Sequence, residues 1–290
     1  MQDLTRVSIR SCYLLMCWFH LMGSLKEKNK QGDGVNKNFV APSGMNTIVK
    51  HFLHSSESNI FFETHCSSIN RLEKPGSDGQ NIKTWQVTDL KEKNSEFDTV
   101  IVTIPTPQLL NLKGSIQDFL ESERSSLESV QYSSRFALAL YFDRGAKINV
   151  PWTCKYVTEI RVCGLYPWIQ ERDWVKIPKM LGPSVLVHTS VPFGIQHLEM
   201  DLNDVKDLII PYVKQILPDL PVPVNSRCIR WRYSQVSRGV EGSPGCAVLC
   251  SSPMLIACGD AFTHTNFDGC INSAQSVVDA FSKMSPDSSL

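Results

Sequence analysis

The chain has 290 residues, 42% of them hydrophobic, and its 29 lysines and arginines balance 29 aspartates and glutamates. That length buries one large core or two moderate ones, and the apolar share belongs to a folded globular protein, not a disordered one. With no net charge, nothing marks the chain for a polyanion or a membrane surface, so a nucleic-acid partner is excluded as an expectation.

Ten cysteines are scattered without a CxxC pair or a Cys/His cluster at zinc-like spacing, so no metal site is expected. Cys66, Cys258 and Cys270 sit within strand or helix patterns as small hydrophobes, which reads as reduced thiols and favours a cytoplasmic location; the even count leaves a disulfide set open. After Arg6 and Arg10 comes an apolar run, Cys12 to Met22, too short to span a bilayer. Basic residues before it and small ones after it also suit a signal peptide, so secretion stays open beside a core strand or an atypical terminus with no packing partner. No stable membrane span is expected, and no feature of the chain fixes an oligomeric state. Residues 1–35 are set apart as an atypical N-terminal segment that closes in the polar stretch KEKNKQGDGVNK.

From Pro42 the chain alternates between elements. Pro42, Ser43 and Gly44 precede a helix whose apolar face is Met45, Ile48, Val49, Phe52 and Leu53. NIFFETHCSSI reads as a strand ending about Asn70, RLEKPGSDGQNIK as a turn reversed at Gly76 and Gly79, and TWQVTDL as the returning strand. In FDTVIVTIP the stretch Thr99 to Ile104 is apolar on both faces, as in a strand buried within an α/β sheet. Pro105 and Pro107 end it where a ligand-facing edge would lie.

Beyond Gly114 the pattern changes. SIQDFLESERSSLESV predicts one helix, with Glu121 to Glu128 as its solvated face. SRFALALYFD and GPSVLVHTSVPF predict strands on either side of an irregular, Trp- and Tyr-rich region, Pro151 to Met180. LNDVKDLIIPYVKQIL predicts an amphipathic helix kinked at Pro211 and ending at Leu217, and CIRWRYSQV a last strand in which aromatic and basic residues alternate. Single helices between antiparallel-looking strands suggest an α+β domain.

The most informative passage is LIACGDAFTHTNFDGCINSAQSVVDAF, Leu255 to Phe281. Leu255 to Cys258 has strand length, and Ala274, Val277, Val278 and Phe281 recur at helical spacing, giving a strand–turn–helix unit. A helix N-terminus offers unpaired N–H groups and partial positive charge to an anionic or electron-rich ligand. Gly259, lacking a Cβ, lets a ligand approach the backbone, and Asp260 can accept hydrogen bonds from ligand hydroxyls. Equally, Asp260 or Asp268 can cap the helix while Gly259 only turns the chain, and the local residues leave both readings standing. The expected organisation is a discontinuous first domain, 36–113 with 250–284, a second domain at 114–249, and a frayed tail at 285–290.

NFVAPSGMNTIVKHFL, VIVTIPTPQLL, VQYSSRFALALYF, LVHTSVPFG, ILPDLPVPV, RWRYSQV and ACGDAFTHTNFDGCINSA are together similar, in order and spacing, to the renalase family, flavoproteins of the amine-oxidase-like FAD superfamily. The resemblance runs from about Asn38 to Lys283. It implies an α/β plus α+β fold: an FAD/NAD(P)-binding-type layered domain beside a substrate domain on a mixed or antiparallel sheet with helices. It implies FAD as cofactor, with Asp260 at its ribityl or diphosphate part. Asn266, Phe267 and Gly269 would bring the helix N-terminus to the pyrimidine edge of the isoalloxazine, where two-electron reduction concentrates negative charge. Cys66 falls where the family contacts adenine through backbone atoms, and Pro105 closes the cofactor-side strand. The chain departs from the family in one respect: no G-x-G-x-x-G turn follows an apolar strand, the glycines before Gly44 being Gly23, Gly32 and Gly34. The expectation is a first domain truncated at its N-terminus, through a shortened isoform or an incomplete gene model, with a weakened hold on FAD.

The reaction that the resemblance implies is oxidation of a dihydronicotinamide isomer, a small-molecule dinucleotide substrate, by O2 to the oxidised nucleotide and hydrogen peroxide. Such chemistry asks the protein for orientation and electrostatics, so no catalytic side chain is assigned. The candidate pocket residues are Tyr132, Arg135, His188, Trp231, Tyr233 and His264. Arg135 suits a bidentate phosphate contact or a surface ion pair, and His188 a pocket or a hydrogen-bonded core position. Trp231 and Tyr233 share one strand face and would wall a flat ring or fill an inter-sheet core. Two rival readings stand beside the oxidase: a silent flavin-domain remnant acting through protein contacts, and an amine oxidase of the same superfamily.

Overall fold

The computed structural model describes residues 46–76, 79–150, 166–168 and 182–284; the expectations for residues 1–35, for most of the Trp- and Tyr-rich region and for the tail at 285–290 lie outside them. The chain divides into two units, residues 1–131 with 236–290, and residues 132–235.

Among the described residues the first unit opens with helix α1 (Asn46–Ser55) and a three-stranded antiparallel sheet of β1 (Cys66–Pro75), β2 (Asn81–Asp89) and β3 (Asn94–Phe97). β1 and β2 pair from Cys66 opposite Asp89 to Pro75 opposite Asn81, so RLEKP, expected as turn, is strand. The reversal itself is confined to 76–80, where Gly79 takes φ +81° and the Gly76 N–H donates to Gln80 O at 2.8 Å. The charged residues that mimic a turn are the solvent face of a ribbon: Lys83 pairs with Glu73 at 3.7 Å, and Lys74 with Glu96 at 2.5 Å. The NIFF segment, expected as strand, is not one, and Phe61 and Phe62 stand 50% and 66% exposed.

A second, mixed sheet carries β4 (Thr99–Val102) parallel to β10 (Met254–Cys258), which pairs antiparallel on its other side with β9 (Cys246–Ser251). Helix α7 (Phe267–Met284) buries Gly269, Ser273 and Val277, and Val277 packs with Met254, Ile256 and Cys258 of β10. Between β4 and β9 in the chain come α2 (Thr106–Leu110), α3 (Ile116–Leu120), a 3-10 turn at Glu121–Glu123 and α4 (Arg124–Glu128). The single helix expected over 115–130 is therefore broken; Ser125, Ser126 and Ser129 are residues whose side chains compete for backbone partners, and Ser129 Oγ donates to Ser126 O at 2.7 Å.

These short helices correct the expected domain boundary at 113/114. The Ser115 N–H donates to Asn70 Oδ1 at 3.0 Å and its Oγ accepts from the Arg71 N–H at 2.7 Å, while Phe119 meets Trp85 edge to face at 5.1 Å, so the helices belong with β1 and β2. The boundary at 249/250 moves likewise, because β9 is a partner of β10.

Among the described residues the second unit has a four-stranded sheet in the order β6 (Tyr166–Trp168), β7 (Ser184–His188), β5 (Gln131–Tyr141), β8 (Asn225–Arg238), with helices α5 (Val191–Gln196) and α6 (Leu202–Ile216). Its core joins Phe136, Leu138 and Leu140 of β5 and Val187 of β7 to Val205, Ile209 and Val213, one stripe of α6. Asp201 caps α6 by accepting the Asn203 N–H at 2.8 Å, and the helix continues through Pro211, which lies on its exposed side. SVPF, expected to prolong β7, is instead the start of α5: Ser190 Oγ accepts the Phe193 N–H at 3.3 Å and a proline fills the first turn. A Cβ on Gly194 would lie 2.0 Å from Ser134 O, so only glycine lets α5 rest on β5. Among the described residues no helix is long and apolar enough to cross a membrane.

Candidate functional site

Because β4 and β10 run parallel, Thr103–Pro105 and Gly259–Asp260 leave the same edge of their sheet. Ligands of open α/β sheets bind outside that carboxyl edge. On the β4 side Pro105 is buried, and its carbonyl accepts the N–H groups of Gln108 at 2.8 Å and Leu109 at 2.9 Å to start α2.

On the β10 side Gly259 takes φ +133° and ψ −172°, a backbone essentially restricted to glycine. Its N–H donates to Ser273 Oγ at 2.8 Å and its C=O accepts the Phe262 N–H at 3.1 Å, so both groups are engaged within the turn. A Cβ there would meet nothing nearer than Thr103 O at 3.8 Å. The need for glycine is conformational, since the contact that a Cβ would make with Thr103 O is an ordinary van der Waals one.

Asp260 begins a 3-10 turn, Asp260–Phe262, and is 8% exposed. The Thr265 hydroxyl donates to its Oδ2 at 3.2 Å and itself accepts the Val236 N–H at 3.3 Å. Burial pushes the Asp260 carboxyl above its usual range, against the opposing effect of the Thr265 hydroxyl and the Ala261 N–H. The turn is also fastened from outside, by the Val240 N–H to Ala261 O and the Gly245 N–H to Phe262 O, both at 2.8 Å. The donors that Asp260 has do not offset its burial. Further hydroxyl donors would stabilise its ionised form.

At the start of α7, Asn266 Oδ1 accepts the Gly269 N–H at 2.7 Å and the Thr263 hydroxyl donates to Gly269 O at 2.8 Å. A Cβ on Gly269 would sit 1.9 Å from His264 O, so glycine permits the helix to press against the preceding turn. The N–H groups of Phe267 and Asp268 precede any intrahelical acceptor. His264 Nε2 lies 3.0 Å from Asp268 Oδ2, and that hydrogen bond is the main influence holding the Asp268 carboxyl below its usual range. The Phe267 ring lies 6.1 Å from that of Phe52 on α1. Cys66 is placed in the other sheet, at the first position of β1, its thiol donating to Ser68 O at 3.7 Å.

The other candidates fall in the second unit, except His264, which belongs to the α7 turn of the first. Tyr132 and Tyr233 meet edge to face at 5.2 Å, and His188 meets Trp231 in the same manner at 5.8 Å. Arg135 Nη2 donates to Gln235 Oε1 at 3.2 Å. Burial, aided by the charge of Arg135, lowers the pKa of His188 to about 3, so its imidazole is neutral at working pH.

Sequence reasoning passed over Thr265, Gln235 and Ser273. For Ser273 a signal existed: with Gly269 and Val277 it forms an i, i+4, i+8 stripe, the buried face of α7, where a polar residue must find partners. The partners of Thr265 and Gln235 come from chain segments brought together by folding, which local pattern does not report.

The family described as flavin containing amine oxidoreductase matches residues 7–281. The chain is 40% identical over 252 residues to renalase of Mus musculus, an alignment covering 87% of this chain and 70% of that protein. A crystal structure of a protein described as a protoporphyrinogen oxidase, from Exiguobacterium sp. 255-15, superposes with TM-score 0.58 at 14% identity, over 83% of this chain and 51% of that one. The chain thus spans about half the length of that structure, and the likeness is one of fold. On the strength of the family match and the renalase relative, the chain belongs to the flavin-containing amine oxidoreductases.

Proposed function

We propose that this chain is a renalase-like, FAD-dependent oxidoreductase that converts a dihydronicotinamide isomer of NAD(P)H and O2 into the oxidised nucleotide and hydrogen peroxide. The observation that carries the reading is the turn at the carboxyl edge of β4 and β10. There the glycine-only backbone at Gly259, an under-donated buried carboxylate at Asp260 and the leading amides of α7 suit a polyhydroxylated, electron-rich cofactor. Asp260 would accept from ribityl hydroxyls. The N-terminus of α7, shaped by Asn266, Phe267 and Gly269, would face the pyrimidine edge of the ring, and Cys66 and Pro105 complete the proposed cofactor set through backbone atoms and strand termination. When bound, the flavin supplies a two-electron acceptor that can pass its electrons on to O2.

The chain's own residues would bind and orient the dinucleotide. Arg135 offers a fixed positive charge to a substrate phosphate, while Trp231 and the Tyr132–Tyr233 pair offer aromatic surface to a flat ring. His188, held neutral, adds no cation beside a nicotinamide ring that becomes positively charged as it is oxidised. His264 is assigned to the flavin side, with Asp268.

A second reading keeps its own support: the sequence contains no G-x-G-x-x-G, the turn that seats a dinucleotide pyrophosphate, which favours a catalytically silent flavin-domain remnant acting through protein contacts. Colour separates the two. Purified protein retaining a flavin absorbance band through gel filtration, and releasing peroxide with dihydronicotinamides, supports the oxidase. Peroxide with amines instead supports an amine oxidase, and a folded, colourless protein that takes up no added FAD supports the remnant.

A further inference from the structure

We infer that Ser273 is the positioning residue of the flavin turn, setting the Gly259 peptide and the N-terminal half of α7 in one arrangement. The inference rests on the flavin reading above and adds a residue to it. Ser273 is 1% exposed, on the face of α7 turned to β9 and β10. Its hydroxyl accepts the Gly259 N–H at 2.8 Å and lies 2.6 Å from Gly245 O. A backbone N–H can only donate, so the hydroxyl's single hydrogen must go to the Gly245 carbonyl. Burial takes the Cys258 thiol at the end of β10 up to about 12.

One side chain therefore ties together the end of β10, the approach to β9 and the helix. The consequence lies in what leaves Gly259. Its φ of +133° sets the direction in which the chain enters Asp260, and that angle is held from the amide side by Ser273. The same serine lies six residues into α7, so the leading amides of Phe267 and Asp268 are placed relative to Asp260 through it. Gly245 belongs to the device as well: a Cβ there would lie 2.0 Å from Ser276 Oγ, so only glycine brings its carbonyl down onto the helix.

The test uses the full chain. In Ser273→Ala the dissociation constant for FAD, measured by fluorescence quenching, should rise about tenfold, the worth of one buried hydrogen bond. Val277→Ala, one turn further along the same stripe, should leave it within about twofold although it too loosens the core. Ser273→Thr, which keeps the hydroxyl, should recover most of the affinity. Equal losses in the alanine variants at 273 and 277, or wild-type affinity in Ser273→Ala, would overturn the assignment. Should Ser273→Ala not fold, hydrogen exchange at the Gly259 amide of the wild-type apoprotein decides: protection comparable to the β10 interior supports the bond, and exchange at the rate of an exposed amide refutes it. A wild-type chain that binds no FAD sinks the flavin reading, while the Gly259 exchange rate still judges Ser273.

Discussion

The Trp85 indole N–H is shared between two consecutive carbonyls, Pro253 O at 3.2 Å and Met254 O at 3.0 Å. The ring is fully buried, and the bond joins β2 to the point where β10 begins. Through it the antiparallel sheet holds the strand that delivers Gly259. Replacement by phenylalanine removes the donor that the two carbonyls share and opens space beside Phe119. The expected cost is about 2–4 kcal/mol, seen as a lower denaturant midpoint at unchanged slope.

His188 gives stability a dependence on acid. Its folded pKa lies near 3, below the ordinary value of 6.5, so the unfolded chain binds a proton that the folded chain refuses. The contribution is complete above about pH 6.5, falls by about 1.4 kcal/mol per pH unit below it, and levels off near pH 3. Unfolding free energies measured at pH 7 and pH 5 should differ by about 2 kcal/mol more in the wild type than in His188→Phe. Parallel pH profiles would show that His188 is charged or solvated in the fold.

How much of this was legible in the sequence depends on how local the determining physics is. The strand–turn–helix at Leu255 to Phe281 could be read because apolar run, glycine and helical period lie side by side. The helix ending at Ile216 could be read because Val205, Ile209 and Val213 keep one face. The β1–β2 ribbon could be read only in its inner half; its outer half, RLEKP against NIK, could not, since cross-strand pairs such as Lys83 with Glu73 look like a polar turn until the partner strand is in place. β9 was missed for a similar reason: CAVLCS is short, and only its pairing with β10 makes it a strand. In the candidate site the residues that contribute a special backbone or charge, Gly259, Asp260 and Gly269, stood out. Those whose role is to satisfy them, Ser273 and Thr265, did not, because serine and threonine become informative only once their burial is known.

The two glycines of the turn should respond differently to the same change. Gly259→Ala meets no atom nearer than 3.8 Å but must adopt a φ that alanine avoids, a strain of about 1–3 kcal/mol with the fold kept. Gly269→Ala drives a Cβ to 1.9 Å from a backbone carbonyl, so the first turn of α7 must move. Thermal unfolding should rank Gly269→Ala as the more damaging. Circular dichroism should stay native for Gly259→Ala, and an equal loss in both would mean that Gly259 is sterically confined too.

Asp260 separates stability from ligand binding. Its raised pKa means that the folded state keeps its proton to higher pH than the unfolded chain does, a contribution present below the ordinary carboxylate range and lost as pH rises through the folded value. At neutral pH the buried charge is therefore a cost, and Asp260→Asn should equal or exceed the wild type in thermal midpoint there, with the advantage gone in acid. The asparagine oxygen can still accept from Thr265, so the turn survives. What it loses is the charge-assisted acceptor proposed for ribityl hydroxyls, about 1.5–3 kcal/mol, which should raise the FAD dissociation constant between about tenfold and about a hundredfold. A variant that is both less stable at pH 7 and unchanged in FAD affinity would make Asp260 a structural cap and nothing more.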